Sequence, residues 1–106
     1  QELIARFSSV PVLAGLSGDR RARLLDCARQ TQVSRNQVVF TAGDRPALFL
    51  LLHGRIAILS RLIPDLDLEL WRCEPWQVFG ELSLLLEQQI NEARALEAGH
   101  VLRIDG

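Results

Sequence analysis

Val78-Phe79-Gly80-Glu81-Leu82-Ser83-Leu84-Leu85-Leu86 is the stretch from which the fold is read. A glycine marks a turn, a carboxylate follows it directly, and the apolar run behind them is long enough only for a brief helix, at about 81–86. Short strands are expected on both sides. Upstream, Leu66, Leu68 and Leu70 alternate with Asp67, Glu69 and Trp71, the pattern of a half-buried strand. Downstream, Glu92–Glu97 and His100–Ile104 read as two strands joined at Ala98-Gly99.

Further out the same pattern continues. Gln37-Val38-Val39-Phe40-Thr41 is β-branched and aromatic and stops at Ala42-Gly43-Asp44-Arg45-Pro46. Leu48-Phe49-Leu50-Leu51-Leu52 is a continuous apolar run and predicts a strand buried on both faces. His53-Gly54 turns it, and in the returning strand Ile56 and Ile58 face one way, Ala57 and Leu59 the other. Short strands punctuated every ~8–12 residues by turn signals imply a sandwich or barrel. The N-terminal part differs. Leu3, Ile4 and Phe7 sit at helical spacing, and Ser17 is a good N-cap for a second helix that is expected to run to about Gln30.

Composition narrows the function. The 106 residues suit one domain, and 48% apolar residues are ample for a packed core. A formal net charge of −1 gives no overall field to recruit nucleic acid or an anionic membrane, so any nucleic-acid contact belongs to another domain. Arg20, Arg21 and Arg23 are read as a solvated helix face. Gln1–Phe7 lacks a basic-then-apolar leader, and the most apolar stretch, Ala47–Leu59, is broken by His53-Gly54-Arg55, well short of the ~20 apolar residues of a membrane helix. A cytoplasmic protein is expected. Cys27 and Cys73 form no C-x-x-C pair and are read as free thiols. His53 and His100 are not paired by sequence spacing and are read as surface or packing residues, so no metal site is expected. No nucleophile stands at a suggestive spacing from a histidine and there is no phosphate-loop motif, so an enzyme is not expected.

The order of these segments resembles the cyclic nucleotide-binding domain, the β-roll of catabolite-activator (Crp/Fnr) type regulators, cyclic-nucleotide-gated channels and kinases. Leu13-Ala14-Gly15-Leu16-Ser17 resembles its turn before the first long helix, and Val39-Phe40-Thr41-Ala42-Gly43-Asp44 its Gly-Asp hairpin. Leu50-Leu51-Leu52-His53-Gly54-Arg55-Ile56 resembles the strand–Gly–strand core, and Phe79-Gly80-Glu81-Leu82 the opening of the phosphate-binding cassette. Arg94-Ala95-Leu96-Glu97 and Val101-Leu102-Arg103-Ile104-Asp105 resemble the last two strands. The resemblance implies a mainly β fold with flanking helices, a double-stranded β-helix or jelly-roll-like β-roll. It implies one domain over 1–106, with helices in 1–30 and the roll in 31–106.

It also implies a small-molecule ligand, cAMP or cGMP, and roles for particular residues. Gly80 lets the backbone approach the cyclic phosphate, Glu81 accepts a hydrogen bond from the ribose 2′-hydroxyl, and the Leu82 and Ser83 amides face the anion. The family's phosphate arginine comes later, within Pro-Arg-Ser/Thr-Ala. Counted back from Arg94-Ala95-Leu96-Glu97, that segment falls on Gln88-Gln89-Ile90-Asn91, so Gln89 stands for the arginine and Ile90 for the hydroxyl residue. Losing a charge-assisted contact removes roughly 1.5–3 kcal/mol per bond, about tenfold to hundredfold in affinity. Arg94 is a substitute anion partner only if the loop is rerouted. Trp76 stands where glycine is common in the family; Trp71 and Trp76 are candidates to stack on a base, but Trp71 is expected rather to pack on a sheet face, Trp76 to cover the cassette entrance, and Leu84-Leu85-Leu86 to lie in the core. The family's long C-terminal helix, through which it often dimerises, would follow Gly106. The expected function is a regulatory, ligand-sensing domain of a bacterial Crp/Fnr-type regulator or another fused effector. Two alternatives stay open: a nucleotide-free β-roll used for protein interaction or dimerisation, and a pocket turned to a neutral ligand.

Overall fold

The structure, a computed structural model, describes Asp19 and residues 28–63 and 65–105. The first expected helix, the cap of the second, Cys27 and the arginine face at 20–23 lie outside the described residues. Eight strands and one helix follow in order: β1 Ala28–Val33, β2 Val38–Phe40, β3 Ala47–His53, β4 Ile56–Ser60, β5 Leu68–Cys73, β6 Val78–Phe79, α1 Leu82–Leu86, β7 Asn91–Ala95 and β8 Gly99–Asp105. The reading of a helix to about Gln30 is corrected at its end. Ala28 to Gln30 are extended and pair with Ile104 to Leu102 of β8. The alanine at helical spacing is drawn into the sheet by a partner strand that no local pattern announces.

The strands form two four-stranded sheets, β1-β8-β3-β6 and β2-β7-β4-β5, and every pairing is antiparallel. This is the mainly β roll expected. Phe40, Phe49, Leu51, Ile56, Ile58, Phe79, Ala93, Ala95 and Val101 belong to the principal core cluster. A second cluster, Leu48, Leu50, Leu52, Leu102 and Ile104, lies on the other face of β3 and β8, with Ala28, Trp76 and Val78 packed against it. Two clusters on opposite faces of β3 explain its unbroken apolar run, since every residue from Ala47 to Leu52 is buried. Each such side chain contributes about 1.5–3 kcal/mol on burial.

β5 departs from its pattern. It is the edge of the second sheet, and all its residues except Cys73 are exposed, Leu68 and Leu70 included. The alternation is real, but only Cys73, at the end of the strand, is buried in the core.

β3 ties the two ends of the roll together. At Ala47 it meets α1 and the segment before β7; at His53 it turns into β4. There Gly54 adopts φ +97° and lies against Ala98-Gly99, while a Cβ on Gly99 would run into the His53 carbonyl. The two corners cross so closely that only glycine fits.

Candidate functional site

The cassette end is organised by a backbone group that sequence reasoning passed over, the Ala47 peptide. The Ser83 hydroxyl accepts the Ala47 N–H at 3.0 Å. Its own proton lies between the Gly80 carbonyl at 2.7 Å and the Ala47 carbonyl at 3.1 Å. The Ala47 carbonyl also accepts the Gln89 side-chain amide at 3.1 Å. Ser83 and Gln89 are both buried, and no buried side-chain polar atom among the described residues lacks a partner. α1 is thus pinned to the first residue of β3 by one hydroxyl, and the loop before β7 by one amide. The Gln89 backbone adds two further bonds, its N–H to Asp44 O at 2.9 Å and its carbonyl to Gly43 N at 2.8 Å.

Gly80 holds φ +80°, and a Cβ there would stand 3.0 Å from the Ala47 carbonyl and 3.2 Å from the rings of Phe40 and Phe49. Its turn is required by the protein's own packing. Phe79 is fully buried in a three-ring stack with Phe49 at 5.2 Å and Phe40 at 6.0 Å between centroids.

Beside this network a cleft is lined by Phe40, Ile58, Trp71, Gly80, Glu81, Leu82, Gln89, Ile90 and Asn91. Five of the seven residues expected to hold a ligand therefore share one wall: Gly80, Glu81, Leu82, Gln89 and Ile90. Two do not. Phe79 belongs to the core, and Ser83 turns inward to Ala47, with its amide donating to Gly80 O at 3.1 Å. The cleft encloses only about 10 Å³, room for roughly one water. Glu81 is its one charged lining residue, and it makes no side-chain cap to α1. No cation lines it.

Trp71 and Asn91, outside the expected ligand-holding set, also line the site. Trp71 lies opposite Ile58 across β4–β5, so its ring stands at the cleft rather than merely on a sheet face. Trp76 does not cover the cassette. It packs on the outer cluster, and its backbone takes φ +68°, the left-handed conformation that favours glycine. Leu84, Leu85 and Leu86, expected in the core, are exposed at 46, 79 and 49%. Only Ser83 of this helix is buried, because the hydroxyl staple turns that face inward.

Arg94 is taken up elsewhere. Alternation along β7 puts Ala93 and Ala95 in the core and Glu92 and Arg94 on the other face. There Arg94 donates to Glu92 at 2.6 Å and to Asp67 at 3.1 Å, and Arg61 donates to the same two carboxylates at 2.8 and 3.0 Å. Thr41 Oγ1 adds a bond to Glu92 at 3.2 Å. The Arg61 guanidinium, then Arg94, holds the Glu92 carboxyl below its ordinary range, and both arginines do the same to Asp67. Cys73 is buried with Sγ facing the Gln77 carbonyl at 3.5 Å. Burial, with Glu81 and Glu74 nearby, pushes its thiol up to about 12, so it stays protonated and unreactive. His53 and His100, unpaired in the sequence, are register partners across β3–β8 with ring centroids 5.8 Å apart.

The geometry of roll, glycine turn and short helix has a counterpart among known proteins. The family model described as "Cyclic nucleotide-binding domain" matches residues 30–106. The chain belongs to the cyclic nucleotide-binding domain family. Solved structures of similar fold include the regulatory subunit of a cAMP-independent protein kinase A from Trypanosoma cruzi bound to guanosine. It has 17% identity and a TM-score of 0.84 over 98% of this chain, which spans 38% of that one. A putative cyclic nucleotide-binding protein from Geobacter metallireducens GS-15 has 19% identity and a TM-score of 0.80 over 95% of this chain and 74% of that one. The sensor domain of the transcriptional regulator DNR from Pseudomonas aeruginosa has 17% identity and a TM-score of 0.82 over 96% of this chain and 73% of that one. No curated protein sequence matches. At these identities the structural likeness shows the shared fold. The family is one of regulatory ligand-binding domains, and among the described residues of this cyclic nucleotide-binding domain no helix is long and apolar enough to cross a membrane.

Proposed function

We propose that this cyclic nucleotide-binding domain is the sensory part of a larger regulator, of the Crp/Fnr type or another fused effector, and that its pocket takes an uncharged nucleoside in place of a cyclic nucleotide. One observation carries the reading: among the described residues the cleft is lined by a single charged group, the Glu81 carboxylate, while Gln89 stands where the family's phosphate arginine is expected. A cyclic phosphate would be desolvated against a carboxylate with no cation to compensate. A nucleoside keeps what the wall offers. Glu81 is an acceptor for a ribose hydroxyl, Asn91 and Gln89 are neutral donors and acceptors, and Trp71 offers a face for stacking. The guanosine bound to the trypanosomal relative of the same fold supports this class of ligand.

The cleft's volume requires α1 and the 87–90 segment to move on binding, because a nucleoside is far larger than one water. That movement breaks the Ser83 and Gln89 bonds to Ala47 and is the natural output of the sensor. A second reading, a nucleotide-free β-roll used for protein interaction, is favoured by the same closure: the Ala47 network is complete without any ligand.

Calorimetric titration with guanosine, adenosine, cAMP and cGMP separates them. Heat with a nucleoside and none with the cyclic nucleotides is the expected result. Micromolar binding of cAMP or cGMP overturns both readings. No heat from any of the four, with an unchanged melting temperature, leaves the interaction module, because a ligand specific to the native state must raise stability.

A further inference from the structure

The far end of β3 carries a feature that the cassette does not use. His53 closes β3 and His100 opens β8, and the register sets them directly opposite each other after a bulge at Leu52. Their rings meet edge to face at 78°, with centroids 5.8 Å apart. Two imidazoles sharing one ion through bonds of about 2.0–2.1 Å put their ring centres roughly 5–6 Å apart. The spacing is therefore that of a chelating pair, reached by turning the exposed His53 ring and the half-buried His100 ring without moving the backbone.

Three further observations point the same way. The backbone beneath is rigid, because Gly54 and Gly99 are in contact and a side chain on Gly99 would strike the His53 carbonyl. Neither imidazole is used in a hydrogen bond or ion pair among the described residues. A hollow of about 480 Å³ opens beside them, lined by Gln32, Val33, Ser34, His53, Ala98, Gly99 and His100. Gln32 lies opposite His100 on β1, so a neutral amide borders the pair from the third strand. The lining holds no carboxylate, which disfavours calcium and magnesium.

We propose that His53 and His100 form a two-imidazole site for a borderline transition cation, Cu²⁺ or Zn²⁺, with waters in the adjoining hollow completing its coordination. Imidazole suits these ions, and copper heads the affinity order among divalent first-row metals. With two protein ligands the site is an exchangeable one that takes up the ion in equilibrium. Because it bridges β3 and β8, a bound ion clamps the corner from which β4 departs. No group among Ala47, Ser83 and Gln89 is involved, so the site stands or falls independently of the nucleoside reading.

The test is titration of the 106-residue chain with CuCl₂ and with ZnCl₂, followed by calorimetry and by the NMR signals of the two imidazoles. One equivalent is expected to bind, Cu²⁺ more tightly than Zn²⁺, with paramagnetic broadening by Cu²⁺ confined to residues around His53 and His100. His53→Ala and His100→Ala are each expected to weaken binding at least about tenfold, the loss that follows even from removing an outer-shell partner. Should either variant fail to fold, Zn²⁺ protection of both imidazoles from diethylpyrocarbonate in the unsubstituted chain decides instead. Absence of binding, affinity unchanged in either folded variant, or broadening centred on the cysteines overturns the proposal.

Discussion

Two carboxylates, one on β7 and one at the start of α1, live in opposite electrostatic worlds. Glu92, on the outer face of β7, is buried and held by Arg61, Arg94 and Thr41. Glu81, at the cleft on the inner side, has no cation among its cleft neighbours. The difference teaches where the family's charge pairing can and cannot be recovered. Arg94, near the cassette in sequence, does not reach the cleft, because strand alternation sends its side chain to the far face, where two anions fix it.

The sharpest way to break the contrast is to remove the better-held anion. Glu92→Ala leaves two guanidinium groups sharing Asp67 alone. It is expected to cost about 2–4 kcal/mol, the range for taking one partner from a buried charge-assisted cluster, read by urea denaturation. The same cluster sets an acid dependence. Both carboxyls titrate below their ordinary values of 4.5 and 3.8, so the unfolded chain binds protons first as pH falls. Their stabilisation is present in full above about pH 5 and is lost as pH drops through the lowered folded-state values. Glu92→Gln should flatten that acid limb. An unchanged limb would mean that other carboxylates govern it.

The second change moves a cation to the cleft. Gln89→Arg can keep a donor on the Ala47 carbonyl while placing a guanidinium at the floor. Cyclic nucleotide affinity is expected to rise tenfold or more, the worth of one charge-assisted contact at roughly 1.5–3 kcal/mol. No gain in calorimetry with cAMP or cGMP would show that loop shape, not the missing charge, excludes the phosphate.

Much of this was legible in the chain, for reasons that differ by region. β3 announced itself because both its faces are covered, and the glycine turn at Gly80 because φ +80° and three close neighbours admit no side chain. At position 89 the sequence implied, by resemblance, a lost cation; that the Gln89 amide is buried on the Ala47 carbonyl was not legible. Long-range pairing was not legible. The extension of Ala28–Gln30 depends on β8, the meeting of His53 and His100 on the β3–β8 register, and Trp71's place at the cleft on its pairing with Ile58. The three leucines of α1 misled because an apolar run implies burial only where something covers it. In this short helix the buried residue is the serine.

Ser83→Ala tests that staple. It leaves the Ala47 N–H buried without its acceptor, at an expected cost of about 1–3 kcal/mol. Hydrogen exchange should increase in α1 and at Ala47 while the amides of β7 and β8 stay protected, which distinguishes a released helix from global loosening. Equal loss of protection throughout the roll would show that α1 is part of the core.

The smallest expected stability effect completes the contrast with Glu92. Glu81 makes no side-chain cap to α1 and no ion pair among the described residues, so Glu81→Gln should change stability by no more than about 0.5 kcal/mol in urea denaturation. Its effect belongs instead to the ligand. A carboxylate accepts from a ribose hydroxyl more strongly than an amide does, so nucleoside affinity should fall several-fold while the fold is untouched. A substitution that is silent in stability and silent in nucleoside binding would leave Glu81 as a solvated carboxylate at the start of α1. The cleft would then be part of a nucleotide-free module, and the asymmetry between the two carboxylates would be one of architecture alone.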